Sequence, residues 1–180
     1  YILESINSCL NQTYSNIEHI VQDGGSTDGT IEILKEYADK GWITFYSEKD
    51  KNVHDAINKA FDKISGSFFG ILGSDDFYKD NNILKYIVNT YLHDETIDYV
   101  YGDEEHISVK DDSFIKIWKG DELKSNFWRG TFCATEAIIF SKRVFDEIGG
   151  FDLNYPVVAD LKLQFQLKLN DYKGVYCNRI

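Results

Sequence analysis

Three groups of acidic and small polar residues have the side chains needed for chemistry. They are Asp23-Gly24-Gly25-Ser26, Glu48-Lys49-Asp50-Lys51 and Ser74-Asp75-Asp76, and each closely follows an apolar segment. Carboxylates gathered in one place repel one another unless a cation or hydrogen-bond donors offset their charge. The adjacent pair in the third group suits Mg²⁺ or Mn²⁺, because these hard cations take carboxylate oxygens together with substrate phosphates. Each group by itself is also typical of an exposed turn.

The apolar pattern predicts which elements position these groups. Strands are predicted at 17–22, 42–46 and 67–72, and amphipathic helices lie between them, most clearly over 53–64. The nearly continuous apolar run at 67–72 suits a strand buried on both faces. This alternation indicates βαβ units and a parallel sheet with helices on both faces. Ligands of such sheets bind beyond the carboxyl ends of the strands, so the three groups are expected to share one edge.

The second half of the chain follows a different pattern. Short strands are predicted at 97–101, 105–109, 114–118 and 137–140, with the second and third forming a hairpin. A short helix is predicted to end at Gly149. Residues 161–169 fit both a strand and one face of a helix, so periodicity alone leaves that segment open.

Composition excludes several classes of protein. The net charge of −11 at neutral pH disfavours a nucleic-acid partner, whose phosphates would be repelled. With 43% hydrophobic residues the chain is not mainly disordered, and its 180 residues support a single domain. No apolar run approaches the ~18–20 residues that span a bilayer. Three separated cysteines indicate neither a disulfide framework nor a zinc site, and they fit a reduced, cytoplasmic compartment.

Four segments together resemble a known family. They are NQTYSNIEHIVQDGGSTDGTIEIL (11–34), SEKDKNVHDAINKA (47–60), ILGSDDF (71–77) and IGGFDLNYPVVADLKLQFQL (148–167). In this order, and over nearly the whole chain, they are similar to the inverting family-2 glycosyltransferases, which have the A-type nucleotide-sugar fold.

The resemblance implies a fold class and a domain plan. The fold would be α/β, with a mostly parallel, Rossmann-like nucleotide-binding sheet, helices on both faces and a small antiparallel acceptor-side part. One domain would cover 1–180, with a nucleotide-sugar half over about 1–96 and an acceptor half over 97–180. The chain contains no Met and starts in a helix-like pattern. We therefore expect it to be a fragment that lacks the family's first strand.

The resemblance also implies roles for individual residues. Asp76 would hold a divalent cation, Mn²⁺ or Mg²⁺, through the donor's diphosphate, and Asp160 would be the catalytic base at the start of a helix over 158–169. Asp23 would hydrogen-bond the nucleotide base. The residues that bind the donor would be Asp23, Gly25, Asp50, Lys51, Asn58 and Asp75.

The implied reaction moves a hexose from a UDP- or dTDP-sugar to a glycan or lipid-linked acceptor, at the cytoplasmic side of a membrane, for cell-surface polysaccharide. On the acceptor side the chain departs from the family pattern. It has Lys162 and Gln166 where Asp and Arg are common, and Thr135 where His is common.

Two alternatives remain open. One is a degenerate protein that binds the nucleotide-sugar without turnover, and the other is a metal-dependent nucleotidyltransferase.

Overall fold

A computed structural model describes residues 1–108, 110–120 and 131–178. In chain order its elements are α1 (Ile2–Leu10), β1 (Ile20–Asp23), α2 (Thr30–Asp39), β2 (Thr44–Ser47), α3 (Val53–Phe61), β3 (Phe68–Gly70), α4 (Ile83–His93), β4 (Tyr99–Tyr101), β5 (Glu104–Ile107), β6 (Phe114–Trp118), β7 (Ile138–Ser141), α5 (Lys142–Ile148), α6 (Ala159–Leu169) and β8 (Gly174–Tyr176). The predicted alternation of strands and helices in the first half is confirmed, as is the β5–β6 hairpin.

The first βαβ unit consists of β1, α2 and β2. The two strands pair in parallel, with Asp23 opposite Ser47 at their carboxyl ends. Leu34 of α2 is fully buried and packs with Ile6 of α1 and Ile43, just before β2, in a small core. Burial of these aliphatic side chains, each contributing about 1.5–3 kcal/mol, fixes α1 and α2 against the strand pair.

A four-stranded sheet in the order β3-β7-β4-β8 forms the centre of the fold. β7 runs antiparallel to both of its neighbours, and β4 pairs in parallel with β8. Consequently β3 and β4 point in the same direction, and their carboxyl ends lie at one edge of the sheet, where β7 begins. This mixed arrangement agrees with the predicted α/β class that has an antiparallel part in the second half.

Aromatic side chains dominate the main core, which lies between this sheet and helices α3, α5 and α6. The ring of Phe145 lies 4.4 Å from Phe61 and 4.7 Å from Phe69, measured between centroids. Leu163 and Leu167 of α6 are fully buried in the same cluster, whereas Leu169 is 66% exposed. A strand over 161–169 would place Leu163, Leu167 and Leu169 on one face. The segment is therefore a helix, as the resemblance implied.

One expectation about local structure was wrong. The strand expected over 67–72 covers only Phe68–Gly70, and Phe68 is 37% exposed. Because β3 is the edge strand of its sheet, it has a neighbouring strand, β7, along one edge and none of that sheet along the other. Its side chains are therefore less enclosed than those of a central strand. The N-cap of α2 is Gly29, in the left-handed region with φ of 95°, and no described side chain caps this helix. Asp28 instead accepts hydrogen bonds from the backbone and hydroxyl of Thr30.

The described helices are short. The longest, α4 and α6, have eleven residues each. Within the described parts of the chain, no helix has both the length and the apolar character to cross a membrane.

Replacing the buried Leu163 with alanine should lower the free energy of unfolding by about 2–5 kcal/mol, because the substitution leaves a cavity in the aromatic core. Leu169→Ala is the matched control on the same helix, and its effect should stay within about 0.5 kcal/mol. Urea unfolding followed by circular dichroism measures both. Equal losses for the two variants would contradict the described packing of α6.

Candidate active site

Asp23 organises the loop that follows β1. Its carboxylate accepts hydrogen bonds from the amides of Gly25 (2.9 Å) and Ser26 (3.1 Å), and from the hydroxyls of Ser26 and Ser47. Burial acts to raise the pKa of Asp23, but these hydrogen bonds outweigh it and the pKa lies below its usual value. Gly25 has φ of 96°, which allows the tight turn around the carboxylate. A ligand that binds Asp23 has to share or replace one of these donors.

The segment after β2 lies against the same loop. A Cβ atom added at Gly24 would come within 2.5 Å of the Asp50 carboxylate, so the backbone there passes close to Asp50. The amide of Lys51 donates to Asp55, and the side chain of Asn52 caps α3. The structure therefore brings the predicted residues Asp23, Gly25 and Asp50 together, with the exposed Lys51 next in sequence.

Asn58 lies further along α3 and has a different set of contacts. Its amide nitrogen donates to the carbonyl of Phe151 at 2.8 Å, and its oxygen accepts from the Phe151 amide at 2.9 Å. Both polar atoms of the side chain are therefore used in linking α3 to the segment before α6. A donor-binding role for Asn58 remains a prediction.

Asp75 and Asp76 follow β3, in a loop tied to α1 by a hydrogen bond from Ser5 Oγ to the carbonyl of Gly73 (3.0 Å). Asp76 Oδ2 accepts from the Gly73 amide at 3.2 Å. The pKa of Asp76 is raised, first because the carboxyl is partly buried and second because Asp75 is charged. His106 and the Gly73 amide offset only part of this effect.

Glu104 and His106 of β5 join this acidic pair, although neither was predicted as a site residue from the sequence. His106 Nε2 lies 2.6 Å from Glu104 Oε1. Burial and the nearby charges of Glu136 and Asp76 raise the pKa of Glu104, while His106 counteracts them. These residues meet because β3 and β4 end at the same edge, where the chain enters β7. The signal for them in the sequence is the acidic run Asp103-Glu104-Glu105 after the short apolar segment of β4. That run can be assigned to the same edge as Asp76 only when the order of the strands is known.

The residues at this edge fit a divalent cation that is only partly held by protein. In the described residues, no group of three or more His, Cys, Asp or Glu side chains is placed to bind a metal ion. An ion at Asp76 would therefore need phosphate and water for its remaining ligands, which is the usual coordination of Mg²⁺ in phosphate-binding sites.

Asp160 is half-buried in the first turn of α6. Within residues 1–108, 110–120 and 131–178, no group donates a hydrogen bond to its carboxylate, which leaves it available for a ligand.

One turn after Asp160, the side chain of the fully buried Gln164 accepts a hydrogen bond from the Phe132 amide (2.9 Å) and donates one to the Cys133 carbonyl (3.1 Å). Gln164 was also missed; its signal is a polar residue on the apolar side of a helix.

Two cavities border the helices. One of about 390 Å³ lies between α3 and α6, and its lining includes Asn58, Asp152, Lys162 and Gln166. The other, of about 530 Å³, lies beside α4 and β8. Its described lining includes none of the predicted site residues.

Comparison with known proteins identifies the family. The model of glycosyl transferase family 2 matches residues 1–149. The chain belongs to glycosyltransferase family 2. A PGL/p-HBAD biosynthesis glycosyltransferase of Mycobacterium bovis is 29% identical over 158 residues, which cover 86% of this chain and 59% of that protein. An uncharacterized glycosyltransferase of Rickettsia conorii is 31% identical over 179 residues, which cover 93% of this chain and 29% of that protein.

Solved structures share the fold. The crystal structure of S. aureus TarS 1–349 in complex with UDP-GlcNAc superposes with a TM-score of 0.76 at 17% identity, covering all of this chain and 53% of that one. The complex of the same protein with UDP gives 0.72 at 15% identity. At these identities the likeness establishes the A-type fold of this family-2 domain and no more. The domain spans 59% and 29% of the length of the two relatives named above.

The raised pKa of Asp76 has a consequence for stability. A carboxyl whose pKa is higher in the folded state contributes stability below its unfolded pKa, and loses that contribution as the pH rises through the folded value. At pH 7.5 without metal, Asp76→Asn should therefore raise the melting temperature by about 2–4 °C, or about 1 kcal/mol, solvent screening keeping the gain small. The gain should vanish below the ordinary aspartate pKa of about 3.9.

Differential scanning calorimetry between pH 3.5 and 8 tests this expectation. Asp62→Asn is the control, because Asp62 is exposed and its side chain takes part in no described hydrogen bond or ion pair. A loss of stability in Asp76→Asn at pH 7.5 would show that the carboxylate is stabilised by its surroundings rather than strained by them.

Proposed function

We propose that this family-2 domain transfers a hexose from a nucleoside diphosphate sugar to the hydroxyl of an acceptor, with inversion at the anomeric carbon. The observation that carries the proposal is the Asp75-Asp76 loop, where a carboxyl with a raised pKa lies beside a second carboxyl at the carboxyl edge of the sheet. Such a site binds a cation together with an anionic ligand better than it binds either alone.

The donor is proposed to be a UDP- or dTDP-sugar. Solved structures of the same fold contain UDP and UDP-GlcNAc, which supports a nucleotide-sugar donor. The loop of Asp23, with Asp50 and Lys51 beside it, is proposed to hold the nucleoside, and Asp75 the sugar-phosphate end. The carboxylate of Asp23 has a lowered pKa, so it stays an acceptor for the N–H groups of a base at neutral pH.

A divalent cation is proposed at Asp76. When bound, Mn²⁺ or Mg²⁺ would supply positive charge to the leaving nucleoside diphosphate. The protein's own task is to present two carboxylates at a fixed place, and the hydrogen bond from the Gly73 amide holds Asp76 there. The same ion would relieve the repulsion between Asp75 and Asp76.

Asp160 is proposed as the catalytic base. Its carboxylate would accept the proton of the acceptor hydroxyl while that oxygen attacks the anomeric carbon from the face opposite the leaving group. A single displacement of this kind inverts the configuration. The start of a helix is a favourable place for a carboxylate, because the backbone amides there carry partial positive charge.

The setting is proposed to be synthesis of a cell-surface glycan. The mycobacterial relative is named for PGL/p-HBAD biosynthesis, and a chondroitin synthase of Escherichia coli is 39% identical over 84 residues. The acceptor is proposed to be a glycan or a lipid-linked molecule, reached from the cytoplasmic face of a membrane, and the name of the chondroitin synthase supports a glycan.

Thermal shift with UDP-GlcNAc, UDP-glucose, UDP-galactose and dTDP-rhamnose tests the donor and the metal together. A true donor at 100 times its Kd should add about 2.7 kcal/mol of stability, and only when Mn²⁺ is present. An equal shift in EDTA would contradict the metal. Binding without any sugar release would indicate a degenerate binding protein, and turnover that requires pyrophosphate would indicate a nucleotidyltransferase.

Asp160→Asn should lower turnover of the best donor by about 10²–10⁴-fold, the usual contribution of a general base, and should leave donor binding nearly unchanged. Release of nucleoside diphosphate measures turnover, and the thermal shift measures binding. Asp171→Asn is the control, because Asp171 follows the same helix, is exposed and has a positive φ that Asn tolerates. Wild-type turnover in Asp160→Asn would exclude this residue as the base.

A further inference from the structure

We infer that Asp152 and Lys162 are positioning residues for Asp160. This inference rests on the proposed function, because it concerns the base of that reaction. Lys162 follows Asp160 by two residues, and the structure gives its ammonium a partner of its own. The Lys162 ammonium forms a close ion pair with the carboxylate of Asp152, ten residues earlier.

The ion pair closes a ring of interactions around Asp160. The Tyr155 amide donates to the Asp152 carbonyl (3.0 Å), the Val158 amide to the Tyr155 carbonyl (3.1 Å) and the Lys162 amide to the Val158 carbonyl (3.0 Å). The ion pair then joins Lys162 back to Asp152. We call the segment held in this way the 152–162 ring. The backbone of Asp160 lies within it.

Among the described residues, no side chain caps the start of α6, so the ring takes the place of a cap. Val158 occupies the N-cap position and makes no side-chain cap. Helix starts ordinarily use a Ser, Thr, Asp or Asn side chain to hold the first amides. Here the ion pair restrains the first turn instead, and the ammonium also lies 4.7 Å from the centroid of the Tyr155 ring.

The ring is fixed to the rest of the molecule at Phe151, which is 2% exposed. The side chain of Asn58 bonds both the amide and the carbonyl of Phe151, as described above. Gly150 packs against Asn58 so closely that an added Cβ atom would lie 2.7 Å from its oxygen. Movement of the 152–162 ring relative to α3 is therefore restricted where Phe151 is held, and the ion pair restricts movement within the ring.

Lys162 acts through Asp152 rather than directly on the acceptor. Two successive residues of a helix differ by about 100° around its axis, so residues two apart lie on nearly opposite sides. Lys162 therefore does not share the face of Asp160. Its ammonium is directed instead at Asp152 and Tyr155, in the groove between α3 and α6. Loss of the pair should shift the base without removing any group that contacts the donor.

Steady-state release of nucleoside diphosphate tests the inference, with the donor of the four-sugar panel that the wild-type chain turns over fastest. Lys162→Met should lower kcat by about 10- to 100-fold, the usual cost of misplacing a catalytic group, with KM for the donor nearly unchanged. Lys162→Arg should keep most of the activity. The exchanged pair Asp152→Lys with Lys162→Asp should recover most of the loss seen in either single variant.

Lys40→Met is the matched control, since Lys40, the residue that follows α2, pairs with Glu36 at 2.6 Å and lies 4.6 Å from the centroid of the Trp42 ring. It should leave kcat unchanged. The decisive comparison places Lys162→Met in the Asp160→Asn background, where it should cause almost no further loss because the base is already absent. An undiminished further loss there, or failure of the exchanged pair to recover activity, would overturn the inference.

Hydrogen exchange of the amides of Tyr155, Val158 and Lys162, followed by NMR, gives a readout that needs no turnover. Lys162→Met should speed exchange at all three positions, and Lys40→Met at none of them. Unchanged exchange rates in Lys162→Met would show that the ion pair does not hold the 152–162 ring, and would overturn the inference. No turnover of any donor by the wild-type chain, with exchange altered as expected, would contradict the proposed function alone.

Discussion

The direction of β7 determines where the acidic side chains of this domain meet. By running antiparallel between β3 and β4, it makes these two strands parallel to each other and brings their carboxyl ends to one edge. The loop of Asp75 and Asp76 then meets Glu104 and His106, although the two pairs are separated in sequence. If β7 were absent from this position, β3 and β4 would not be held in one sheet, and the acidic edge would not form.

That edge is unfavourable for the folded protein, and a bound cation of the kind proposed above would relieve the repulsion there. The pKa values of Asp76 and Glu104 are both raised, because burial and neighbouring negative charge act on each. Asp23 shows the opposite behaviour: donors in its own loop lower its pKa and hold it as an anion. The loop of Asp23 is thus organised before any ligand binds. The acidic edge instead keeps a charge repulsion that a bound cation would relieve.

Much of the fold could be predicted from the sequence, because hydrophobic periodicity is a local property. The alternation of β1, α2, β2 and α3 follows from it, and so do the three polar groups at strand ends. Other features depend on distant contacts and could not be predicted in this way. The exposure of Phe68 depends on strand order, and the bonds of Asn58 depend on Phe151, 93 positions away. The segment 161–169 was resolved by family likeness rather than by periodicity.

The two glycines after α5 face different evolutionary constraints. Gly149 and Gly150 both have positive φ, but of the two only Gly150 has described neighbours within reach of a Cβ atom, namely Asn58 and Phe145. Asparagine is tolerated in left-handed backbone, so position 149 is open to mutational drift. A side chain at position 150 would press on both Asn58 and Phe145, and Asn58 cannot be shortened to make room without losing its two hydrogen bonds to Phe151. A variant library built around the acceptor side can therefore sample position 149 but has to keep Gly150 fixed.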